Sequence, residues 1–287
     1  MKKYKLISIL LILILGLFFS FKYLYNNTVP VFNEEDGKKL PIIMYHHIIE
    51  KQERLNKFAI TPAQFESDLK YLKENGFQTI TTKDLIAHVY DNAPLPEKPI
   101  MITFDDGQES FYEYAYPLLK KYNMSAVLSI VGSFTDTYSE IDDHNVVYSY
   151  LTWKEINEMA NSPYVEIANH TYDLHSTDKG RKGCSKKPGE SLEQYKTVLE
   201  NDILKLQDEI LMYTGHKAVT FTYPFGKFSK ETKGILKDFG FSAILNCAEV
   251  INVIDKSNPD FLYNLGRFNR PHGINTSDFF AKVLKDL

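Results

Sequence analysis

Carboxylate and imidazole side chains follow two separate apolar runs of this chain. Asp105 and Asp106 directly follow the run IMITF. His170 and His175 follow the run YVEIAN. Adjacent carboxylates repel each other, and burial of either is costly unless a cation or hydrogen bonds compensate. Imidazole and carboxylate together suit zinc and its divalent neighbours, so the four residues predict a metal site. One aspartate would bind the cation, and the other would accept a proton from activated water. Taken alone, Asp-Gly at this point is equally typical of an exposed turn.

A third segment, FTYPFGKFS, also closes a strand-like run. A corner of proline, aromatic residue and glycine directs backbone amides outward, and such an amide can donate to a developing oxyanion. An ordinary strand-to-helix turn explains this segment equally well.

Strand-like runs alternate with helical patterns from Pro41 onward. Helix starts are indicated by capping patterns at Thr61, Thr152 and Ser191, each with glutamine or glutamate three residues later. Short apolar strands between helices predict a parallel sheet covered by helices, as an open doubly wound sheet or a closed barrel. In either fold the chemistry belongs at the carboxyl ends of the strands, which favours a site over an exposed turn.

Composition narrows the class of partner. The chain has 287 residues, 44% hydrophobic and 24% charged, with a net charge of −4. Lysines and arginines do not cluster among aromatic residues, so the sequence predicts no nucleic-acid partner. Aromatic residues make up 14% of the chain, which suits either a carbohydrate-facing surface or a tyrosine-rich core.

The chain begins with a cationic segment followed by an apolar run at residues 6–21. This pattern predicts a signal segment or membrane anchor over residues 1–25, a linker at 26–39 and one globular domain at 40–287. Aromatic residues rather than a small-residue cleavage site follow the run, which favours an uncleaved anchor. The domain would then lie on the extracellular face of the membrane, or be secreted if the segment is cleaved. Cys184 and Cys247 could form a disulfide or remain free thiols.

Three motifs together resemble one family. TFDDG, HTYDLH and YPFG, in that order, resemble the polysaccharide deacetylases of carbohydrate esterase family four, over roughly residues 41–246. The resemblance implies a distorted (β/α) barrel of about seven strands. It also implies metal-dependent hydrolysis of N-acetyl or O-acetyl groups on a polysaccharide, and we expect a monomer.

The resemblance also implies a role for each matching residue. Asp105 would be the general base, and Asp106, His170 and His175 would bind a divalent metal, zinc before cobalt or nickel. The backbone amide of Phe225 would stabilise the oxyanion.

Substrate contacts and the partner of the base are less well defined. We assign Tyr223, Pro224 and Arg267 to substrate binding. Many family members carry an arginine that pairs with the base at the position of Thr222. Because this chain has Thr222 at that position, a different residue must pair with Asp105, and Arg267 or Arg270 could do so.

The early segment PIIMYHHI resembles the branch that acts on extracellular poly-N-acetylglucosamine. In that branch a histidine after tyrosine works in the site, which makes His46 the predicted general acid and His272 the alternative. His47 should point away, because side chains alternate along a strand. Peptidoglycan or an O-acetylated glycan are alternative substrates, and a catalytically silent carbohydrate-binding protein is the non-enzymatic alternative.

Overall fold

The structure is a computed structural model that describes residues 37–177, 180–285 and 287. The predicted signal or anchor segment at 1–25 and most of the predicted linker at 26–39 lie outside the described residues. Among the described residues, no helix is both long enough and apolar enough to cross a membrane.

The strands are short, and most of them belong to one sheet. In chain order they are β1 (Lys39–Leu40), β2 (Ile42–Tyr45), β3 (His47–Ile48), β4 (Ala59–Ile60), β5 (Gln78–Thr79), β6 (Pro99–Phe104), β7 (Ala126–Ile130), β8 (Val165–Asn169), β9 (Thr220–Thr222), β10 (Ala243–Leu245), β11 (Asn252–Val253) and β12 (Phe268–Asn269).

The central sheet is parallel throughout. Seven strands follow one another in the order β10–β9–β8–β7–β6–β2–β12, and β5 pairs with the first residues of β6. The sheet curls into a half-barrel, which confirms the predicted distorted (β/α) barrel of about seven strands. Two small pairs, β1 with β11 and β3 with β4, lie outside this sheet.

Helices connect most of the parallel strands. They are α1 (Pro62–Glu74), α2 (Thr82–Asp91), α3 (Tyr116–Tyr122), α4 (Gly132–Ile141), α5 (Trp153–Ala160), α6 (Leu192–Thr214), α7 (Thr232–Asp238) and α8 (Thr276–Val283). Shorter helical turns are Gln52–Arg54, Phe111–Ala115, Pro224–Gly226 and Pro259–Asn264. The caps predicted at Thr61, Thr152 and Ser191 are observed, because each hydroxyl accepts a backbone N–H of the first turn of α1, α5 or α6.

The middle of the sheet is buried on both faces. Every residue of β6, β7 and β8 is buried, as expected for parallel strands covered by helices. The rings of Tyr45, Phe65, Phe104 and Phe111 pack with centroids 4.8 to 5.3 Å apart beneath the end of β6. Because the strands run parallel, the residues that follow β2, β6, β8 and β9 meet at one edge of the sheet.

Candidate metal centre and active site

A cavity of about 740 Å³ opens at this edge of the sheet. It gathers most of the side chains that the sequence predicts to do chemistry, although they come from four different strand ends. The predicted residues that line it are His46, Asp105, Asp106, His170, His175 and Phe225.

Asp106, His170 and His175 converge at the base of this cavity. The Oδ1 atom of Asp106 lies 3.1 Å from Nε2 of His175 and 3.6 Å from Nε2 of His170. One ligand atom from each of the three residues lies within 4.8 Å of the other two. Oδ1 is buried and has no well-oriented hydrogen bond to any described residue, so it can serve as a ligand. One carboxylate oxygen and two imidazole nitrogens fit a divalent cation.

A hydrogen bond determines which nitrogen of His170 carries the proton and which faces the site. Its Nδ1 lies 2.8 Å from the backbone carbonyl oxygen of Thr222, which can only accept, so Nδ1 carries the proton. The lone pair of a neutral ring is then on Nε2, which faces Asp106. A second hydrogen bond of this kind is usual behind metal-binding histidines. Burial raises the pKa of Asp106, but contacts with His170 and His175 outweigh it and hold that pKa well below its usual value.

Three residues at the site adopt backbone conformations that side chains normally avoid. The φ angles are +75° at Asp106, +75° at Thr171 and +56° at Phe225. The other non-glycine residues with positive φ in the described part of the chain are all helix C-caps. A β-branched residue such as Thr171 is a genuine outlier there. Strain of this kind concentrates at functional sites, where the surrounding structure enforces it.

The loop between the two histidines is anchored from neighbouring helices. The carboxylate of Asp202 on α6 accepts the backbone N–H groups of Tyr172 and Asp173, both at 2.8 Å. The Tyr172 hydroxyl donates to Asp136 on α4, also at 2.8 Å. Sequence reasoning missed these supports, because Asp202 lies about thirty positions away and carries no motif.

Asp105 forms a two-point ion pair with Arg267. Nη1 of Arg267 lies 2.7 Å from Oδ1 and Nη2 lies 2.9 Å from Oδ2. Burial raises the pKa of Asp105, but the Arg267 guanidinium outweighs burial and lowers that pKa below its usual value. Asp105 is therefore ionised at neutral pH. Arg270, the other candidate partner, pairs with Asp68 at 2.7 Å instead.

The side chain of Arg267 lies behind Asp105 and not on a surface that a substrate could reach. Its side chain is 0% exposed, and it binds Asp105 and the backbone carbonyl of Asn246, so it supports the carboxylate from behind. This placement corrects the assignment of Arg267 to substrate binding. A guanidinium with no exposed surface has none to offer a polysaccharide.

Arg267→Met is expected to lower the free energy of unfolding by about 3–5 kcal/mol, because it leaves the carboxylate of Asp105 buried and unpaired. Chemical denaturation of the purified variant measures this loss. Asp105→Asn/Arg267→Met should recover part of it, since the uncompensated charge is gone. Equal losses in the single and double variants would contradict the pairing as the cause.

The Pro-aromatic-Gly corner brings one of its residues to the cavity. Tyr223 is 2% exposed and its ring stacks on Phe228, with centroids 4.3 Å apart. Pro224 is also buried, so neither residue has the exposed surface that the substrate-binding assignment requires. Phe225 is 44% exposed, and its ring centroid lies 4.4 Å from that of His175. Gly226 is required next to it, because a Cβ there would lie 2.9 Å from Cβ of Cys247.

Cys247 also lines the cavity, and Cys184 is buried. Both cysteines are free thiols in the part of the chain that the structure describes. Of the two possibilities that the sequence left open, the structure therefore contains the free thiols rather than the disulfide.

His46 and His47 both line the cavity, which differs from the predicted alternation. The central strand β2 ends at Tyr45, and β3 begins at His47 and pairs with β4 instead. His46 thus lies at a break between two strands, where the alternation of a continuous strand does not apply.

The two histidines differ in their hydrogen bonding. Nδ1 of His47 lies 3.1 Å from the hydroxyl of Ser110, and its ring also bonds the backbone carbonyl of Val147. Burial lowers the pKa of His47 to about 4. Burial lowers the pKa of His46 as well, although Asp105 and Asp106 oppose it. Nδ1 of His46 is buried and has no hydrogen-bond partner within the described residues.

His272, the alternative general acid, lies away from the residues described as lining the cavity. It is exposed, its Nδ1 lies 3.1 Å from Oε1 of Gln64, and it is not among the described residues that line the cavity.

Comparison with known proteins identifies the family. Residues 92–244, just over half of the chain, match the sequence profile described as polysaccharide deacetylase. The chain belongs to the polysaccharide deacetylase family. The matched region contains Asp105, Asp106, His170, His175 and Phe225.

Relatives within the polysaccharide deacetylases are distant. A poly-beta-1,6-N-acetyl-D-glucosamine N-deacetylase from Staphylococcus aureus is 27% identical, over 68% of this chain and 63% of the relative. A protein of the same name from Escherichia coli is 25% identical, over 69% of this chain and 32% of the relative. The matches therefore span less than two thirds of either relative's length.

Solved structures support the half-barrel. A de-N-acetylase from Aggregatibacter actinomycetemcomitans superimposes with a TM-score of 0.70 at 26% identity, over 85% of this chain and 100% of that one. The superposition covers 85% of the chain, so the shared fold extends beyond the matched residues 92–244.

Proposed function

We propose that the protein is a metal-dependent hydrolase that removes acetyl groups from N-acetylglucosamine residues of an extracellular polysaccharide, and that poly-N-acetylglucosamine is its substrate. One observation carries the proposal: a carboxylate and two imidazoles converge beside a second carboxylate held ionised by an arginine, all in one open cavity. The names of the two curated relatives support the choice of substrate.

Asp106, His170 and His175 would hold one divalent ion. Their donor set of two nitrogens and one oxygen suits zinc, and cobalt or nickel are chemically close. When bound, the ion supplies a Lewis acid next to Asp105. The hydrogen bond from His170 to Thr222 and the anchoring of the histidine loop by Asp202 keep the ligands in place.

Asp105 would act as the general base. Arg267 keeps it ionised and fixes its orientation, while a carboxylate with two oxygens retains lone pairs beyond those that the guanidinium uses. It would accept a proton from the water that attacks the acetyl carbon. The backbone N–H of Phe225, fixed by its strained corner, would donate to the oxyanion that forms.

His46 would return a proton to the leaving amine as the C–N bond breaks, which completes the release of acetate. Its ring lines the same cavity as Asp105. Because burial favours the neutral imidazole, the proton that it donates must reach it during the reaction. In this scheme Asp105, which accepts a proton in the preceding step, supplies it.

The location of the reaction follows from the N-terminal segment. We infer that residues 1–25 anchor the protein to the membrane, or direct its secretion, and that residues 40–287 form the catalytic domain outside the cell. This inference rests on the sequence pattern of the segment, which lies outside the described residues.

Acetate release tests the proposed function. The full chain is incubated with poly-β-1,6-N-acetylglucosamine, peptidoglycan and an O-acetylated glycan, and free acetate is measured. We expect release from the first polymer, loss of release after chelation and recovery with Zn²⁺. Unfolding should remain cooperative in the chelated protein, because helix-on-sheet packing rather than metal carries the stability of a domain this large.

Two outcomes would contradict the proposal in different ways. Preference for another glycan would overturn the substrate but keep the hydrolase. Active protein without a transition metal would overturn the mechanism, and metal-loaded protein that binds a glycan without releasing acetate would indicate a binding protein.

A further inference from the structure

A second group of metal-binding side chains lies outside the cavity. Nδ1 of His144 lies 3.0 Å from Oε1 of Glu109 and 3.1 Å from Oε1 of Glu155. Ligand atoms of the three residues lie within 4.8 Å of one another. None of the three is among the described residues that line the cavity, and the sequence indicated only the helix-capping role of Glu155.

The backbone places both glutamates independently of any ion. The backbone N–H of Glu109 donates to the carbonyl of Ser149 at 2.9 Å, which fixes the segment that follows β6. Glu155 belongs to the capping box of α5, and its Oε2 accepts from the backbone N–H and the hydroxyl of Thr152 at 2.8 and 2.7 Å. Its Oε1 is left to face His144.

The imidazole of His144 is oriented by a carboxylate on its far side. Nε2 lies 3.2 Å from Oδ1 of Asp142 and Nδ1 faces two glutamate oxygens, and because carboxylates accept, the metal-free ring carries a proton on each nitrogen. The hydrogen bond to Glu109 raises the pKa of His144, and a cation bound by the two glutamates would take the place of the Nδ1 proton while Asp142 keeps that of Nε2. A histidine held by a carboxylate and presenting its other nitrogen to a site is the usual arrangement behind a metal ligand.

Three carboxylates surround the single imidazole of His144, and one carboxylate oxygen is left without a partner. Glu109 is 3% exposed, and its Oε2 is buried with no hydrogen-bond partner within the described residues. A protonated His144 has one N–H to share between the two glutamates, and its charge would face three carboxylates, those of Glu109, Glu155 and Asp142. Burial and the nearby Glu155 raise the pKa of Glu109 to about 7, so near neutral pH a cation would compete with a proton at this carboxylate.

We propose that Glu109, His144 and Glu155 form a second divalent-cation site, separate from that of Asp106, His170 and His175. One nitrogen and two carboxylate oxygens suit Zn²⁺ or Mn²⁺. The ion would neutralise two buried carboxylates and supply the partner that Oε2 of Glu109 lacks.

The position of this second site gives it a structural role. Glu109 follows Asp106 by three residues, and His144 precedes Val147, which lines the cavity and accepts a hydrogen bond from His47. A cation would therefore tie the end of β6 to the segment that forms one wall of the cavity. Glu155 would add the start of α5 to the same anchor.

Metal content distinguishes the two sites. Full-length apoprotein is equilibrated with Zn²⁺, and in a parallel series with Mn²⁺, and bound ions are counted by elemental analysis. We expect two ions per wild-type chain, one in Asp106→Asn, one in His144→Ala and none in the double variant. His144 is 46% exposed, so its replacement should leave the fold intact.

The affinity for Zn²⁺ and the Tm of the variants test the second site independently of the ion counts. In the Asp106→Asn background, His144→Ala and Glu109→Gln should each weaken Zn²⁺ binding by more than the ~10–100-fold that loss of an outer-shell partner costs. Zn²⁺ should raise the Tm of Asp106→Asn but not of the double variant. Asp208→Asn, an exposed carboxylate on α6, serves as the matched control and should change nothing.

Unchanged metal content in His144→Ala would overturn the second site, whatever Asp106→Asn shows. Retention of both ions in Asp106→Asn would instead overturn the metal site of the proposed function. The two failures are therefore separable.

Discussion

Asp105→Asn is expected to keep metal at the Asp106 site and to lose turnover by at least the ~10²-fold typical of a missing general base. Asp106→Asn is expected to lose one bound ion per chain, and with it activity. The two residues are neighbours, but Asp105 binds Arg267 through both oxygens, whereas Oδ1 of Asp106 faces His170 and His175.

The two variants are compared by ion count and by kcat/KM after reloading with Zn²⁺. Asp105→Asn also weakens a buried ion pair, so its thermal unfolding must be followed to exclude loss of folded protein as the cause. Asp208→Asn again provides an exposed control. If both active-site variants retained the same number of ions, the unequal roles assigned to Asp105 and Asp106 would be refuted.

The sequence could predict the convergence of these residues because it depends on local patterns and one rule of topology. Short apolar runs separated by capped helices indicate parallel strands, and parallel strands bring their carboxyl ends to one edge. Asp105 follows β6 and His170 follows β8, with only β7 between them in the sheet. Chain order and sheet order agree in this region, so residues 65 positions apart become neighbours.

Contacts made across the whole chain could not be predicted in the same way. Arg267 reaches Asp105 from 162 positions away, because β12 docks beside β2 at the other end of the sheet order. Arg267 and Arg270 are equivalent in the sequence, and both end in buried ion pairs. Which one meets Asp105 depends on packing that no local pattern encodes.

Local patterns also failed where the backbone departs from regular geometry. A continuous strand through PIIMYHHI would place His46 and His47 on opposite faces, but the strand breaks at His46 and both rings enter the cavity. The group of Glu109, His144 and Glu155 carries no motif, since its members come from a strand end, a loop and a capping box. The capping glutamate was predicted for its backbone role alone.

His46→Ala is expected to lower kcat/KM by ~10²–10⁴-fold with the metal content unchanged, as loss of a general acid would. His46 is the cavity histidine whose Nδ1 has no hydrogen bond to any described residue, so a bound substrate can use it. His47 lines the same cavity, but its ring nitrogens already bond Ser110 and Val147. His47→Ala should therefore cost stability, at about 1 kcal/mol per lost hydrogen bond, more than turnover.

Kinetics of His46→Ala, His47→Ala and His272→Ala, each with its ion count and Tm, separate these roles. His272→Ala should behave as wild type, because His272 is exposed and bonds Gln64 away from the cavity. A large loss of kcat/KM in His272→Ala, with normal kcat/KM in His46→Ala, would contradict the assignment of His46 as the general acid. It would also weaken the inference that poly-N-acetylglucosamine is the substrate, because the resemblance to the deacetylases of that polymer rests on His46. Metal loss in His46→Ala would instead make His46 a support of the metal site, because a proton donor can be removed without disturbing the Asp106, His170 and His175 ligands.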